Sequence, residues 1–152
     1  MDRPQLLKRV DRAWEALKAS YAGLSHEKMT ERGVTGTWSV KDIIAHVTCW
    51  EEETLKHLPL ILAGGRPPRY SVTHGGIDAF NAQMTERNGK LSLSEVLRRR
   101  DSTHSRLIDF IGSVPEDQIA RETRLRRRLR LDTYGHYTKH AEAIRKWRES
   151  AI

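Results

Sequence analysis

The sequence predicts an all-α protein, a four-helix bundle with a long crossover between its second and third helices. Three observations carry this. Apolar residues recur at three- and four-residue spacing in four long segments, while no run of alternating β-branched residues competes with them. A Gly- and Pro-rich stretch, "AGGRPPRYSVTHGG" at 63–76, separates the second segment from the third. The chain of 152 residues is long enough for one domain with a substantial core and too short for two ordinary ones.

The first helix spans roughly Gln5 to Leu24, where Val10, Trp14, Leu17, Tyr21 and Leu24 form one apolar stripe. The second opens after "GTW" with Ser39 as N-cap and Asp42 in the first turn, where a carboxylate suits the helix dipole. It continues through Ile43, Val47, Trp50 and Leu55 toward Leu62, with a kink or end expected near Pro59. Residues 63–76, with four glycines and two prolines, read as a loop. A short helical stretch over 77–88 places Ile77, Phe80 and Met84 on one side. The third long helix begins with a capping box, Ser92 and Glu95, and reaches about Ile111. The stretch around Leu125, Leu129 and Leu131 is too brief to assign, and the fourth helix runs from Asp132 to Trp147. Such a set of helices fits a bundle with one long connection.

Composition narrows the function classes. No apolar run reaches membrane-spanning length, and the charged start "MDRPQLLKRV" lacks the features of a signal peptide, so a cytoplasmic place is expected. The single cysteine, Cys49, allows no intrachain disulfide and reads as a small buried hydrophobe. The net charge of +7 is concentrated in "RETRLRRRLR" at 121–130, which holds six arginines, and in "RRR" at 98–100. Three readings of these arginines stay open: a solvated surface, a site for an anionic small molecule or partner, and weak nucleic-acid binding. Neither a groove-reading helix nor stacking aromatics accompany them.

The histidines carry the sharper signal. His136 and His140 stand four apart, so their Cβ atoms are neighbours about 5–6 Å apart on one helix face. Chance alone would give roughly 0.3 such pairs among seven histidines in a chain of this length, so position must add weight. It does: His136, His140, Ala143 and Trp147 share the inward stripe, and His46, between Ile43 and Trp50, occupies the equivalent stripe of the second helix. Three separately buried imidazoles each need a hydrogen-bond partner, at about 1–3 kcal/mol per unsatisfied group, whereas one shared divalent ion satisfies all three. The bland reading is a set of core histidines bonded to carbonyls or hydroxyls.

Other residues are weighed against that frame. His104 could face the same cavity as a proton shuttle, though a core or surface histidine is the simpler reading. Trp50 and Asn81 are candidates for a substrate pocket, and Arg127 for an anion contact at its mouth. Trp14 reads as core, while Trp38 and Trp147 read as core or pocket wall. Glu51, Glu52 and Glu53 read mostly as a solvated face, and His26, His57 and His74 have no evident partners.

Two stretches carry a family resemblance. "TGTWSVKDIIAHVTCWEEE" and "GHYTKHAEAIRKW" resemble the second- and last-helix signatures of the DinB/YfiT-like four-helix-bundle superfamily. "GGRPPRYSVTHGGIDAFNAQM" and "RRRLRLDTYGHYTKHAEAIRKW" resemble its ClbS/DfsB branch. The resemblance implies a divalent ion, zinc or nickel foremost, on His46, His136 and His140, and a homodimer. It also implies a metal-dependent hydrolase or low-molecular-weight-thiol transferase acting on an electrophilic small molecule in detoxification or self-resistance. Some members of that branch lack the triad; this chain keeps it. The alternative is a non-catalytic ligand- or DNA-binding bundle with a vestigial metal site.

Overall fold

A computed structural model describes residues 1–150. The four expected long helices are present as α1 (Arg3–Ser20), α3 (Val40–Leu62), α6 (Leu93–Ser113) and α9 (Tyr134–Ser150). Shorter helices fill the connections: α2 (His26–Thr30), α4 (Tyr70–Thr73), α5 (Ile77–Asn88), α7 (Glu116–Ala120) and α8 (Arg124–Asp132). Capping chemistry sets the starts. Asp2 with Gln5, Ser39 with Asp42, and Ser92 with Glu95 each form a reciprocal capping box, satisfying backbone N–H groups that a helix N-terminus otherwise leaves bare.

Several boundaries differ from the sequence reading. The first helix ends at Ser20 rather than Leu24, because the chain turns over Tyr21–Gly23, with Gly23 at a positive φ. The second runs through Pro59 to Leu62 and does not end at the proline. The stretch 63–76 is not loop throughout, for Tyr70–Thr73 form the single turn of α4. The unassigned arginine-rich stretch is helix α8, capped by Thr123, with Leu125 and Leu129 buried and Leu131 turned to solvent. The last helix proper starts at Tyr134, two residues later than expected, because Asp132 ends α8 and Thr133 breaks the helical geometry.

Contacts fix the directions of the helices. Arg9 lies over the Tyr134 ring and Arg148 donates to the Ser20 carbonyl, so α1 and α9 run parallel. Val96 lies beside Ala45 and Cys49, and His104 meets Glu51, so α3 and α6 also run parallel. Two consecutive long helices that run side by side in one direction need a returning connection, which is what the crossover carrying α4 and α5 provides. Where α3 faces α9, the directions oppose: His46 meets His136 and His140, while Thr54 meets Asp132. The core between the layers includes Leu6, Val10, Leu17, Ile43, Leu58, Leu107, Ile111, Leu129 and Ile144, each 2% exposed or less.

Two substitutions test this account of stability. Ser39→Ala, which removes the cap of α3, is expected to lower unfolding free energy by about 1 kcal/mol. Leu107→Ala, which opens a cavity in the core, is expected to lower it by about 2–5 kcal/mol. Urea denaturation checks both; equal losses in the two variants would contradict the assignment of one to a helix cap and the other to core packing.

Candidate metal centre

Three imidazoles converge where α3 crosses α9. His136 Nε2 lies 3.0 Å from His46 Nε2 and 3.0 Å from His140 Nε2. One nitrogen of each ring falls within 4.8 Å of the other two, the only such group of potential ligands found among the described residues. The i, i+4 spacing brings His136 and His140 together on α9, and the antiparallel packing of α3 delivers His46 to the same point. His140 is buried, and Trp38 packs against the His46 ring at 4.6 Å between centroids.

The donor set fits a divalent cation better than it fits hydrogen bonding. A neutral imidazole nitrogen carries one hydrogen or one lone pair, so His136 Nε2 cannot form two linear hydrogen bonds to its two neighbours. Three lone pairs turned toward one centre have no such conflict. Zinc–nitrogen bonds of about 2.0–2.1 Å place the nitrogens of one tetrahedral ion about 3.4 Å apart, close to the spacing seen here. His136 Nδ1 is buried without a closed hydrogen bond, although the backbone of Asp132 faces it. That is where an imidazole ligand places its orienting partner.

Electrostatics keeps the rings neutral. Burial, followed by the charges of His140 and Lys139, lowers the His46 pKa to about 3. Burial and then His140, His46 and Lys139 bring His136 to about 2, with the Asp132 backbone opposing weakly. Burial and Lys139 bring His140 to about 4. Neutral imidazole is the form that binds a metal.

The other candidates fall into separate places. Trp50 and Asn81 are joined, the indole Nε1 donating to Asn81 Oδ1 at 3.0 Å. Asn81 and Trp38 line a cavity of about 590 Å³ together with Asp78, Ala82, Thr85 and Glu86. His104 stands behind the triad: its ring stacks on Trp14 at 3.7 Å and its Nδ1 meets Glu51 Oε2 at 2.7 Å. Arg127 is exposed and lines a different groove, with Ile61, Leu62 and Arg124. Cys49 is buried and accepts a hydrogen bond from Asn88 Nδ2, and burial pushes its thiol up, away from thiolate.

The acidic run is not a solvated face. Glu51 is fully buried, its Oε2 also accepting from Tyr137 at 2.6 Å, and the Glu53 side chain is only 13% exposed. Only Glu52 keeps the expected surface character, paired with Arg99. The reason is that α3 is covered by α6, α8, α9 and the crossover around most of its circumference. His57, for which the sequence offered no partner, lies 3.4 Å from Glu53 and edge-on to Tyr70. Sequence reasoning also missed Asp132, Arg128 and Tyr70. A signal did exist: Glu53 and His57 follow His46 at i+7 and i+11, and Asp132 precedes His136 by four.

The depressed pKa values imply a pH dependence with a definite sign. Unfolded histidines titrate near 6.5, so between that pH and the folded values the unfolded chain binds more protons, and stability rises with pH. Metal-free protein should therefore lose stability as pH falls from about 7 to 5, by up to about 1.4 kcal/mol per unit for each imidazole. Urea midpoints across that range check it, with a shallower slope expected for His136→Gln. A flat profile in both would contradict buried neutral rings.

Comparisons with known proteins place the fold. None of the curated proteins is a significant match to the sequence. Among solved structures, one titled "Sibling Lethal Factor Precursor - DfsB" superposes with a TM-score of 0.81 at 16% identity, covering 99% of this chain and 97% of its own. The colibactin self-resistance protein ClbS, solved in complex with a dsDNA, gives 0.79 at 16% identity over 95% and 94%. An uncharacterised protein from Escherichia coli UTI89 gives 0.82 at 16% identity over 99% and 94%. At such identities these likenesses establish a shared fold. The model of the DinB superfamily matches residues 9–143, and the chain belongs to that superfamily.

Proposed function

We propose that this chain is a metal-dependent enzyme that acts on an electrophilic small molecule, by hydrolysis or by transfer of a low-molecular-weight thiol, in detoxification or self-resistance. The observation that carries the reading is the convergence of three neutral imidazole nitrogens from two helices. His46, His136 and His140 would hold the ion, with zinc or nickel the metals to try first. A divalent ion bound by three protein ligands supplies an open Lewis-acidic position for water, thiol or electrophile. Trp38 screens one side of His46, and the cavity it shares with Asn81 offers room for a small molecule beside the centre. Trp50 fixes the Asn81 amide through its indole hydrogen, leaving the Asn81 NH₂ group free to orient a substrate. The self-resistance role of ClbS, whose fold this chain shares, supports the biological part of the reading.

Elemental analysis of untagged protein tests the centre. Near one equivalent of divalent metal is expected in the wild type and a loss of most of it in His46→Ala and His136→Ala. Metal-loaded protein is then expected to consume an epoxide or cyclopropane electrophile with water or with an added thiol. The dependence on thiol concentration separates hydrolysis from transfer. Wild-type protein that takes up no zinc or nickel would remove the metal-dependent reading.

A specific observation favours a second, non-catalytic role in nucleic-acid binding. The arginines of the α8 region divide into two sets. Arg126, Arg128 and Arg130 are paired with Glu122 or Asp132, while Arg121, Arg124 and Arg127 line one groove with no carboxylate partner among the described residues. Guanidiniums without a carboxylate partner suit phosphate oxygens; Arg124 also donates to the Gly65 carbonyl at 3.2 Å and Glu122 shares the groove, and ClbS was solved with double-stranded DNA. Binding of a labelled DNA duplex, measured by fluorescence anisotropy, is expected to weaken steeply with salt and to weaken further in Arg121→Ala/Arg127→Ala. Affinity unchanged by both would exclude this groove.

A further inference from the structure

Tyr70, on the crossover, sits at the head of a chain of hydrogen bonds that ends at Asp132, whose backbone faces His136. Its hydroxyl donates to Glu53 Oε1 at 3.0 Å and accepts from Arg128 Nη2 at 3.0 Å. Burial pushes the phenol up to about 12, so the hydroxyl remains a donor. Its ring is set by Trp50 at 5.3 Å and Phe80 at 5.2 Å. Arg128 in turn donates through Nε to Asp132 Oδ2, and Thr54 Oγ1 donates to the same oxygen at 2.8 Å. Asp132 is buried, ends α8, and turns its backbone toward the ring of His136 one turn later.

The junction between these last two residues is closely packed. Gly135 presses so closely on α8 that a Cβ there would meet the Arg130 carbonyl oxygen at 2.9 Å. The Tyr137 N–H donates to the Thr133 carbonyl at 2.7 Å across the same junction, so Asp132 and His136 flank one short hydrogen-bonded segment. Outer groups that orient a histidine ligand commonly change metal affinity about 10–100-fold when removed.

We propose that Tyr70 is a positioning residue for His136: through Arg128 and Asp132 it holds the imidazole aimed at the ion, so that the crossover sets the affinity of the metal centre. This rests on the metal-centre reading above. A purely structural Tyr70 would fasten the crossover without changing how the ion is held.

Titration of metal-free protein with Co²⁺, followed by its visible absorption, separates these roles. The absorption reports both affinity and ligand geometry. Tyr70→Phe is expected to weaken Co²⁺ binding about 10-fold or more and to shift the band. Tyr21→Phe is the matched control, since the Tyr21 hydroxyl also bonds an arginine, Arg100 Nη1 at 2.9 Å. It lies at the far end of the bundle, where Arg148 meets Ser20, about 18 Å along α9 from His136. That variant is expected to bind like the wild type. Arg128→Lys keeps the charge beside Asp132 but loses the guanidinium fork, and should reproduce the loss, so the test stands even where Tyr70→Phe does not fold. Binding within twofold of wild type in both the Tyr70 and Arg128 variants, or an equal loss in Tyr21→Phe, would overturn the proposal. Wild-type protein that binds no Co²⁺, or His136→Ala that binds as well as wild type, would instead remove the metal centre on which the proposal rests.

Discussion

The structure depends on one seam, the antiparallel contact of α3 with α8 and α9, and on the polar pairs buried along it. Thr54 meets Asp132, Glu51 meets Tyr137, and His46 meets His136 and His140 along that line. An apolar seam would tolerate sliding, because one leucine packs much like another. A polar seam does not. Moving α9 by one turn against α3 would orphan several of these groups at once, at about 1–3 kcal/mol each. The register of the two helices, and so the convergence of the imidazoles, is specified by the same hydrogen bonds that make the seam costly to build.

The parallel pairing of α3 with α6 imposes the second constraint. The chain must return the length of α3, about 35 Å for its 23 residues, before α6 can begin. That return passes over the face of α3 that carries Trp50 and Glu53, which is why Tyr70 and Phe80 lie against the indole and Asn81 bonds its nitrogen. The crossover thus lies against α3 one turn beyond His46. Its aromatic residues give it a fixed place there despite its glycines and prolines.

Much of this was legible in the sequence because it rests on local rules. The N-cap at Ser39, the capping box at Ser92, the apolar stripes and the i, i+4 histidines depend on spacing within one helix, and all are found as expected, with Asp42 completing a capping box at Ser39 as well. What could not be read depends on how helices rotate against one another. Glu51 sits inside a run of three acids, and nothing local distinguishes it from Glu52; only the placement of α6 and α9 buries one and exposes the other. Arg128 stands among five other arginines in 121–130, yet it alone reaches Asp132 and Tyr70, because α8 turns that one side chain inward. Tyr70 belongs to a stretch whose composition argues for loop, and its single helical turn is held by tertiary contacts rather than by propensity.

The distribution of charge around the triad completes the physical picture. Three imidazoles are neutral ligands and leave the charge of a divalent ion uncompensated. The carboxylates in the same seam have partners of their own: Glu51 through Oε2 with His104 and Tyr137, Glu53 with Tyr70 and His57, and Asp132 with Arg128 and Thr54. A seam so arranged keeps its negative charges bound to their own partners and away from the three nitrogens. Net positive charge at such a centre favours an anionic nucleophile, hydroxide or thiolate alike, over its protonated form. On the proposed reading, the choice between water and thiol would therefore rest with the cavity beside Trp38 and Asn81, not with the ligands.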